Sequence, residues 1–421
     1  MAPSKTANKS ANKKSSSGRK SSGKSLIRQA DIVIVGAGIV GQTLAIALAK
    51  LPLAQALNIL VIDAHDSLLA TKQTEGEFSP RVSAISAASQ QSFEQLDVWQ
   101  HIARKQAYTD MQVWDQDGFG NIEFNADEIG LEALGHIVEN EQVTQGLFQT
   151  GQSHHNIEYM LGSSIAQMQF DEERYQLQLQ NGSIVVAKLV VGADGANSYV
   201  RQQLGFNQTF WDYDHTAIVA NVSTEHAHNL TARQAFTPSG PLAFLPLNDA
   251  HQCSIVWSQD TQQAQHLLSL SDDEFCKALA VAIDLKLGLC KLTTDRFSYP
   301  LRMRYSRQWV EESVALLGDA AHTIHPLAGQ GANLGIADAM ALAKNIECSI
   351  ASNKPFYSKQ QLRKYERYRK AEAQKVIATM EGFKQLFAGA DPLKKLVRNV
   401  GLSAVNKIHP VKQFFIQQAE G

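Results

Sequence analysis

Between Asp31 and Asp63 the chain passes from a short apolar run, Asp31-Ile-Val-Ile-Val35, through Gly36-Ala-Gly38-Ile-Val-Gly41 into QTLAIALAK. It then reaches a second apolar run, Leu57-Asn-Ile-Leu-Val-Ile-Asp63. Strand, glycine turn, helix and strand in so few residues predict a βαβ unit with parallel strands. Each glycine has its own reason. Gly36 permits the tight turn, Gly38 lets the backbone approach a pyrophosphate, and Gly41 lets helix and strand pack closely. The helix N-terminus faces that turn and favours phosphate charge. Asp63 lies 22 residues beyond Gly41 at the end of the second strand, placed to accept from ribose hydroxyls. The unit predicts a bound dinucleotide and does not choose between NAD and FAD.

The rest of the chain surrounds this unit with other material. Residues 110–125 predict a hairpin turning at Asp117-Gly118, and residues 156–193 alternate strands and turns up to Asp194. HTAIVANVS, PLAFLPL and HQCSIVWS alternate as strands of an antiparallel sheet with one wet face. Ser271-Asp-Asp-Glu274 reads as a helix start, Ser313-Val-Ala-Leu-Leu317 as a buried strand, and the pattern from about 359 as helical. The fold class is therefore α/β: a Rossmann-like dinucleotide domain with an inserted antiparallel-sheet substrate domain and a helical C-terminus. The first comprises residues 29–107, 135–205 and 305–375. The insert comprises 108–134 and 206–304, and the C-terminal segment 376–421.

Charge separates one further stretch. Residues 1–28 hold eight Lys or Arg and no Asp or Glu, which leaves 31 basic against 41 acidic residues, a formal −10, on the remainder. Rich in Ser, Lys and Asn, this stretch reads as a solvated tail rather than a secretory signal or a transit peptide. Cys253, Cys276, Cys290 and Cys348 form no Cys-x-x-Cys pair and read as reduced thiols of a cytoplasmic protein. No metal site and no specific nucleic-acid contact are expected. No apolar run reaches the roughly 20 residues of a membrane-spanning helix.

Two later segments decide the dinucleotide. Val191-Gly-Ala-Asp194-Gly195-Ala-Asn197-Ser198-x-x-Arg201 and Leu317-Gly318-Asp319-Ala-Ala-His322-x-x-x-Pro326-x-x-Gly329-Gln-Gly331-x-Asn333 follow the glycine turn at spacings of 158 and 125 residues. In this order they resemble the motifs of the flavoprotein aromatic monooxygenases, over nearly the whole chain from Asp31. Within that family the chain is similar to the ubiquinone-biosynthesis hydroxylases, and most so to the 2-polyprenylphenol hydroxylases. This rests on Ser79-Pro-Arg81-Val-Ser-Ala-Ile-Ser, Leu134-Gly-His-Ile-Val-Glu139-Asn140, Pro238-Ser-Gly-Pro241-Leu-Ala-Phe-Leu-Pro246-Leu and Asp391-Pro-Leu-Lys-Lys-Leu-Val-Arg-Asn399.

The resemblance implies bound FAD, NAD(P)H or another donor, and O2, with a flavin hydroperoxide attacking the ring of a polyprenylated phenol. It implies that Arg81 contacts the adenosine–pyrophosphate region and Asn140 the ribityl or flavin ring. Where many relatives carry an Arg after the Glu-Asn pair, this chain has Gln145, which can offer only a neutral contact. Asp319 at a strand end suits the ribityl hydroxyls. The loop through Pro326, Gly329 and Gly331, leading to Asn333 and a helix N-terminus, suits the pyrimidine edge of the flavin. The cofactor carries the hard chemistry, and no residue is singled out as catalytic. His322 and His325 stand near enough in sequence to be considered as a base. Phe236, Phe244, Leu245, Pro246 and Trp257 are expected in the substrate wall. The basic, apolar segment 380–416 either packs on the body or meets the inner membrane or a quinone-biosynthesis complex.

Overall fold

The computed structural model describes residues 27–70, 78–118, 120–323 and 330–387. The segment 380–416 therefore lies almost wholly outside the described residues, as do Pro326, Gly329 and His325.

Three sheets organise the chain. The first has a parallel centre in the order β19 (Val314–Leu316), β11 (Ile184–Gly192), β1 (Ile27–Val35), β2 (Ile59–Ile62) and β8 (Ile157–Met160). Its antiparallel additions are β18 (Val310–Glu311) beside β19 and the hairpin β9 (Ile165–Asp171)–β10 (Arg174–Leu179) beside β11. Val33, Ile34, Val61, Val190 and Val191 are fully buried, because helices cover both faces of a parallel sheet. The helices around it are α1 (Ile39–Lys50), the short α2 (Ser67–Ala70), α3 (Ala87–Gln95), α4 (Asn140–Gln152), α5 (Tyr199–Gln203), α8 (Gln330–Ala351) and α9 (Lys359–Phe387). β1 begins two residues inside the stretch read as tail: Ile27 and Arg28 pair with Ile184 and Val185, and Arg28 contacts Glu158.

The second sheet runs β20 (His322–Thr323), β17 (Phe297–Ser306), β12 (Gln208–Thr224), β15 (Gln252–Asp260), β14 (Gly240–Pro246), β13 (Thr231–Thr237), β5 (Asp110–Asp115), β6 (Asn121–Asn125), with β16 (Cys290–Leu292) also on β12. It is antiparallel except for one pair. β13 runs parallel to β5, because a long excursion through the first sheet separates them in sequence. The third sheet is β3 (Val82–Ile85), β7 (Gly135–Glu139) and β4 (Gln106–Tyr108), wedged between the other two.

Alternation on the second sheet sorts the residues expected in the substrate wall. Phe244 and Trp257 share a face with Ile218, Ala235 and Ile255, and α6 (Thr261–Ser269) and α7 (Asp272–Ala282) cover that face. Phe244 and Trp257 are therefore core, not wall. Burial of a side chain the size of Phe244 contributes about 1.5–3 kcal/mol. α7 is held at its start by a capping box between Ser271 and Glu274. Leu245 alternates to the opposite face and packs with Ile137 of the third sheet. Phe236 packs with Val113 and Ile122.

Candidate active site

The glycine turn is tight where the chain touches itself and open where it does not. Gly36 has φ +109°, and a Cβ there would lie 2.3 Å from the Ala193 carbonyl oxygen. A Cβ on Gly41 would lie 2.0 Å from the Gly36 carbonyl oxygen, whereas one on Gly38 would meet nothing within 4 Å. Space above Gly38, at the N-terminus of α1, is the cradle a pyrophosphate needs. Asp63 faces the same turn. Its carboxylate accepts from the Ala37 N–H at 2.6 Å and from the His65 N–H at 2.8 Å, so it fixes the turn from the next strand.

Val40, in the first turn of α1, joins this region to the later motifs. A Cβ on Gly335 would come within 2.4 Å of Val40 Cγ2, and one on Gly318 within 3.1 Å. The small residues of the Gly318–Ala320 turn and of α8 thus accept Val40 between them. Backbone bonds complete the junction: Ala193 N–H donates to the Val35 carbonyl at 2.8 Å, and Leu317 N–H to the Gly192 carbonyl at 2.9 Å. Buried Arg201 bridges two motifs with one side chain. It donates to the Ala196 carbonyl at 2.7 Å and to the Ala320 carbonyl at 3.0 Å. Arg304 of β17 also donates to Ala196 and to Asn197.

Two carboxylates open toward the space so enclosed. One Asp194 oxygen accepts from the Tyr199 N–H at 2.7 Å and the Val200 N–H at 3.2 Å; the other is buried and has no partner among the described residues. Burial pushes this carboxyl up, against the hydrogen bonds from Ser198, Val200 and Tyr199. Gly195 beside it has φ +78° and open space over its Cα. Asp319 is open to solvent yet crowded by protein on most sides, as on the floor of a crevice. That crowding pushes its carboxyl up, while His322, Arg81 and Arg304 pull it down. Arg81 places its guanidinium 5.5 Å over the ring of Tyr299, a half-exposed residue of β17.

Two asparagines pin β3 at opposite ends. Asn140 accepts from Ser83 Oγ at 2.6 Å, and its N–H donates to the Arg81 carbonyl at 2.9 Å. Asn333, near the start of α8, donates to the Ala84 carbonyl at 2.8 Å and accepts from the Ser86 N–H at 3.1 Å. Gly331 has no neighbour near its Cβ position. Gln145 turns to the Leu68 carbonyl of α2 at 3.2 Å. Half-buried Val82, Ala84 and Tyr108 pack with Ala243, Leu245 and Val256, which joins the third sheet to β14 and β15.

His322 is buried in the interior. It is 3% exposed, its Nε2 lies 2.6 Å from Asp338 Oδ2, and the Trp309 ring packs on it at 4.7 Å. Asp338, on α8, also accepts from the Gly318 N–H at 3.1 Å and from Arg369 Nε of α9 at 2.7 Å. Complete burial pushes the Asp338 carboxyl up, but His322 and Arg369 hold it below the usual carboxylate range. The network is structural, and it ties α9 to the turn carrying Asp319. Reading the sequence missed Arg369, which stands among many Lys, Arg and Gln of a surface-like helix. Cys253, Cys276 and Cys290 are buried in the second sheet and α7, and Cys348 is exposed; all four are free thiols. No described helix is long and apolar enough to cross a membrane.

Residues 29–380 match the FAD binding domain family. The chain is 33% identical to the 3-demethoxyubiquinol 3-hydroxylase of Escherichia coli K12, over 93% of this chain and 98% of that protein. It is 32% identical to the human mitochondrial ubiquinone biosynthesis monooxygenase COQ6, over 94% of this chain and 93% of that one. The fold matches p-nitrophenol 4-monooxygenase PnpA of Pseudomonas putida with a TM-score of 0.74, at 18% identity, over 94% of this chain and 99% of that structure. Fold and relatives define an FAD-dependent monooxygenase, which uses NAD(P)H and O2. The chain belongs to the FAD binding domain family and, within it, to the ubiquinone-biosynthesis monooxygenases.

Proposed function

We propose that this protein hydroxylates the aromatic ring of a polyprenylated phenol in ubiquinone biosynthesis, with a 2-polyprenylphenol as substrate. The likeness to ubiquinone biosynthesis hydroxylases over more than nine-tenths of the chain carries this reading, together with a glycine turn that leaves room for a pyrophosphate at Gly38. FAD, reduced by NAD(P)H, supplies the activation of O2. The open turn over Gly38, between the tightly packed Gly36 and Gly41, takes the pyrophosphate, and Asp63 the adenosine ribose. Arg81, Asp194, Gly195 and Asp319 line the middle of the cofactor. The Asp194 oxygen that has no partner among the described residues is a ready acceptor for a cofactor hydroxyl. Asn140 holds Arg81 and β3 in place. Gly331 and Asn333 would hold the flavin at the N-terminus of α8, where the positive dipole favours negative charge, and Pro326 and Gly329 belong to the same proposed cofactor-binding set. The flanking sheets exclude water from the ring.

The name of the bacterial relative favours a second reading, demethoxyubiquinol as substrate. Expression in strains blocked at each ring hydroxylation separates the two. Restored ubiquinone in the strain that accumulates 2-polyprenylphenol supports the first reading. Rescue only of the strain that accumulates demethoxyubiquinol overturns it in favour of the second. Purified protein that carries FAD but shows no O2-dependent turnover with either substrate overturns both and leaves a scaffold role in the pathway.

A further inference from the structure

The segment Phe78-Ser-Pro-Arg81 leads into β3 and is held by side chains of both the second and the third sheet. Loop backbone ordinarily turns its polar groups to water. Here buried side chains take them instead. Asn221 of β12 is fully buried, and its Nδ2 donates to the Phe78 carbonyl at 2.8 Å. Its Oδ1 has no partner among the described residues, so the donor is what this position uses. Glu139, at the end of β7, is buried and accepts from the Ser79 N–H at 2.6 Å. Arg104 donates to the same Glu139 oxygen at 2.9 Å, and its guanidinium lies 4.9 Å over the Phe78 ring. Pro80 has no N–H to satisfy. The Arg81 carbonyl takes the Asn140 N–H, so the segment is fixed at both ends. From this backbone the Arg81 side chain reaches Tyr299, and its charge acts on Asp319.

We propose that Asn221 and Glu139 are positioning residues for the cofactor: from two different sheets they fix the segment that aims Arg81 at bound FAD. The assignment rests on the reading given above that Arg81 lines the middle of the cofactor. An arginine side chain has much rotamer freedom to lose on binding. Fixing its backbone from two sides, with Tyr299 against its guanidinium, reduces what is lost when FAD binds. Neither Asn221 nor Glu139 needs to touch FAD for this. Asn221 belongs to the second sheet, so the inserted sheet takes part in cofactor binding.

The test is a double-mutant cycle on FAD affinity, read by flavin fluorescence as FAD is added to the FAD-free protein. Arg81→Ala, Asn221→Ala and Glu139→Ala should each bind FAD about tenfold more weakly. With Arg81 already replaced by Ala, adding Asn221→Ala or Glu139→Ala should weaken binding by less than about twofold, because both act through Arg81. Glu139→Gln keeps an oxygen for the Ser79 N–H and should stay within about threefold of wild type. A merely structural role predicts equal losses whether or not Arg81 is present. Equal losses therefore overturn the assignment and leave the reading of Arg81 standing. Glu139→Gln as weak as Glu139→Ala overturns it for Glu139. Failure of both Ala variants to fold also overturns it, because the two side chains would then be supporting the fold. Arg81→Ala that binds FAD as wild type does overturns the reading of Arg81 and this assignment with it.

Discussion

The turn at Gly36–Gly41 and the turn at Gly318–Ala320 stand at the ends of two strands of the same sheet, β1 and β19, and Val40 of the first packs against Gly318 of the second. They are built from different materials. The first is held by backbone and by near neighbours: the Gly36 N–H donates to the Ile62 carbonyl at 2.8 Å, and Asp63 accepts from Ala37. Its shape depends on the absence of side chains. The second is held by charge delivered from two later helices, with Asp338 accepting from the Gly318 N–H while Arg369 and His322 flank it. Its shape depends on side chains being present. One turn should therefore fail when a methyl group is added, the other when a charged group is removed.

The largest effect is expected at the second turn. Asp338→Ala leaves the Arg369 guanidinium buried without its partner and the Gly318 N–H without an acceptor. Breaking a buried ion pair from one side costs about 3–5 kcal/mol. Urea unfolding of the FAD-free protein measures it. A loss under about 1 kcal/mol would mean that the turn does not depend on this charge. Gly36→Ala should come next. It combines a positive φ with a Cβ 2.3 Å from the Ala193 carbonyl oxygen, a backbone atom that cannot turn aside. Strain and overpacking each cost about 1–3 kcal/mol.

Gly38→Ala sharpens the contrast within the first turn. Nothing lies within 4 Å of the added methyl, and the backbone at Gly38 is extended, with φ −75°. The FAD-free protein should keep its stability within about 0.5 kcal/mol. FAD affinity, titrated by flavin fluorescence, should fall at least about tenfold, because the methyl occupies the space through which a pyrophosphate approaches the backbone. Equal FAD affinity in the variant would move the pyrophosphate away from Gly38.

The difference between the two turns also explains what the sequence makes legible. Gly36, Gly38, Gly41 and Asp63 act through strand ends and a helix start within one βαβ unit, so their spacing is enough to place them. Asp194 and Asp319 follow apolar runs that read as strands; the structure sets Ala193 against Gly36 and Gly318 against Val40, and joins the two later motifs through Arg201. The His322–Asp338–Arg369 network joins three elements by side chains alone, and no local pattern marks Arg369 as buried. Alternation showed that the strands of the second sheet have two faces, but not which face meets helices. For that reason Phe244 and Trp257 were expected in the wall and lie in the core. The apolar stripes of α6 and α7, which need a sheet face to cover, were the signal available.

The smallest effect concerns the sign of a charge at two carboxyls, Asp194 and Asp338. Burial pushes the Asp194 carboxyl up, whereas Asp338 is held below the usual range. A carboxyl raised on folding takes up a proton as the chain folds. Its contribution to stability is fully present below the unfolded value, near 3.8, and is lost as pH rises through the folded value. Among the described residues this carboxyl keeps one buried oxygen without a partner. Asp194→Asn keeps an oxygen for the Tyr199 and Val200 N–H groups and removes the charge. It should stabilise the FAD-free protein at pH 7, and the advantage should shrink toward pH 4. Asp338→Asn should show the reverse dependence at lower pH, because its carboxylate contributes fully above the unfolded value, near 3.8, and the loss on neutralising it fades only as pH falls through the lower folded value. Urea titrations at pH 7, at pH 4 and below the unfolded carboxyl value read both signs. If both variants move with pH in the same direction, the two carboxylates do not differ as their surroundings require.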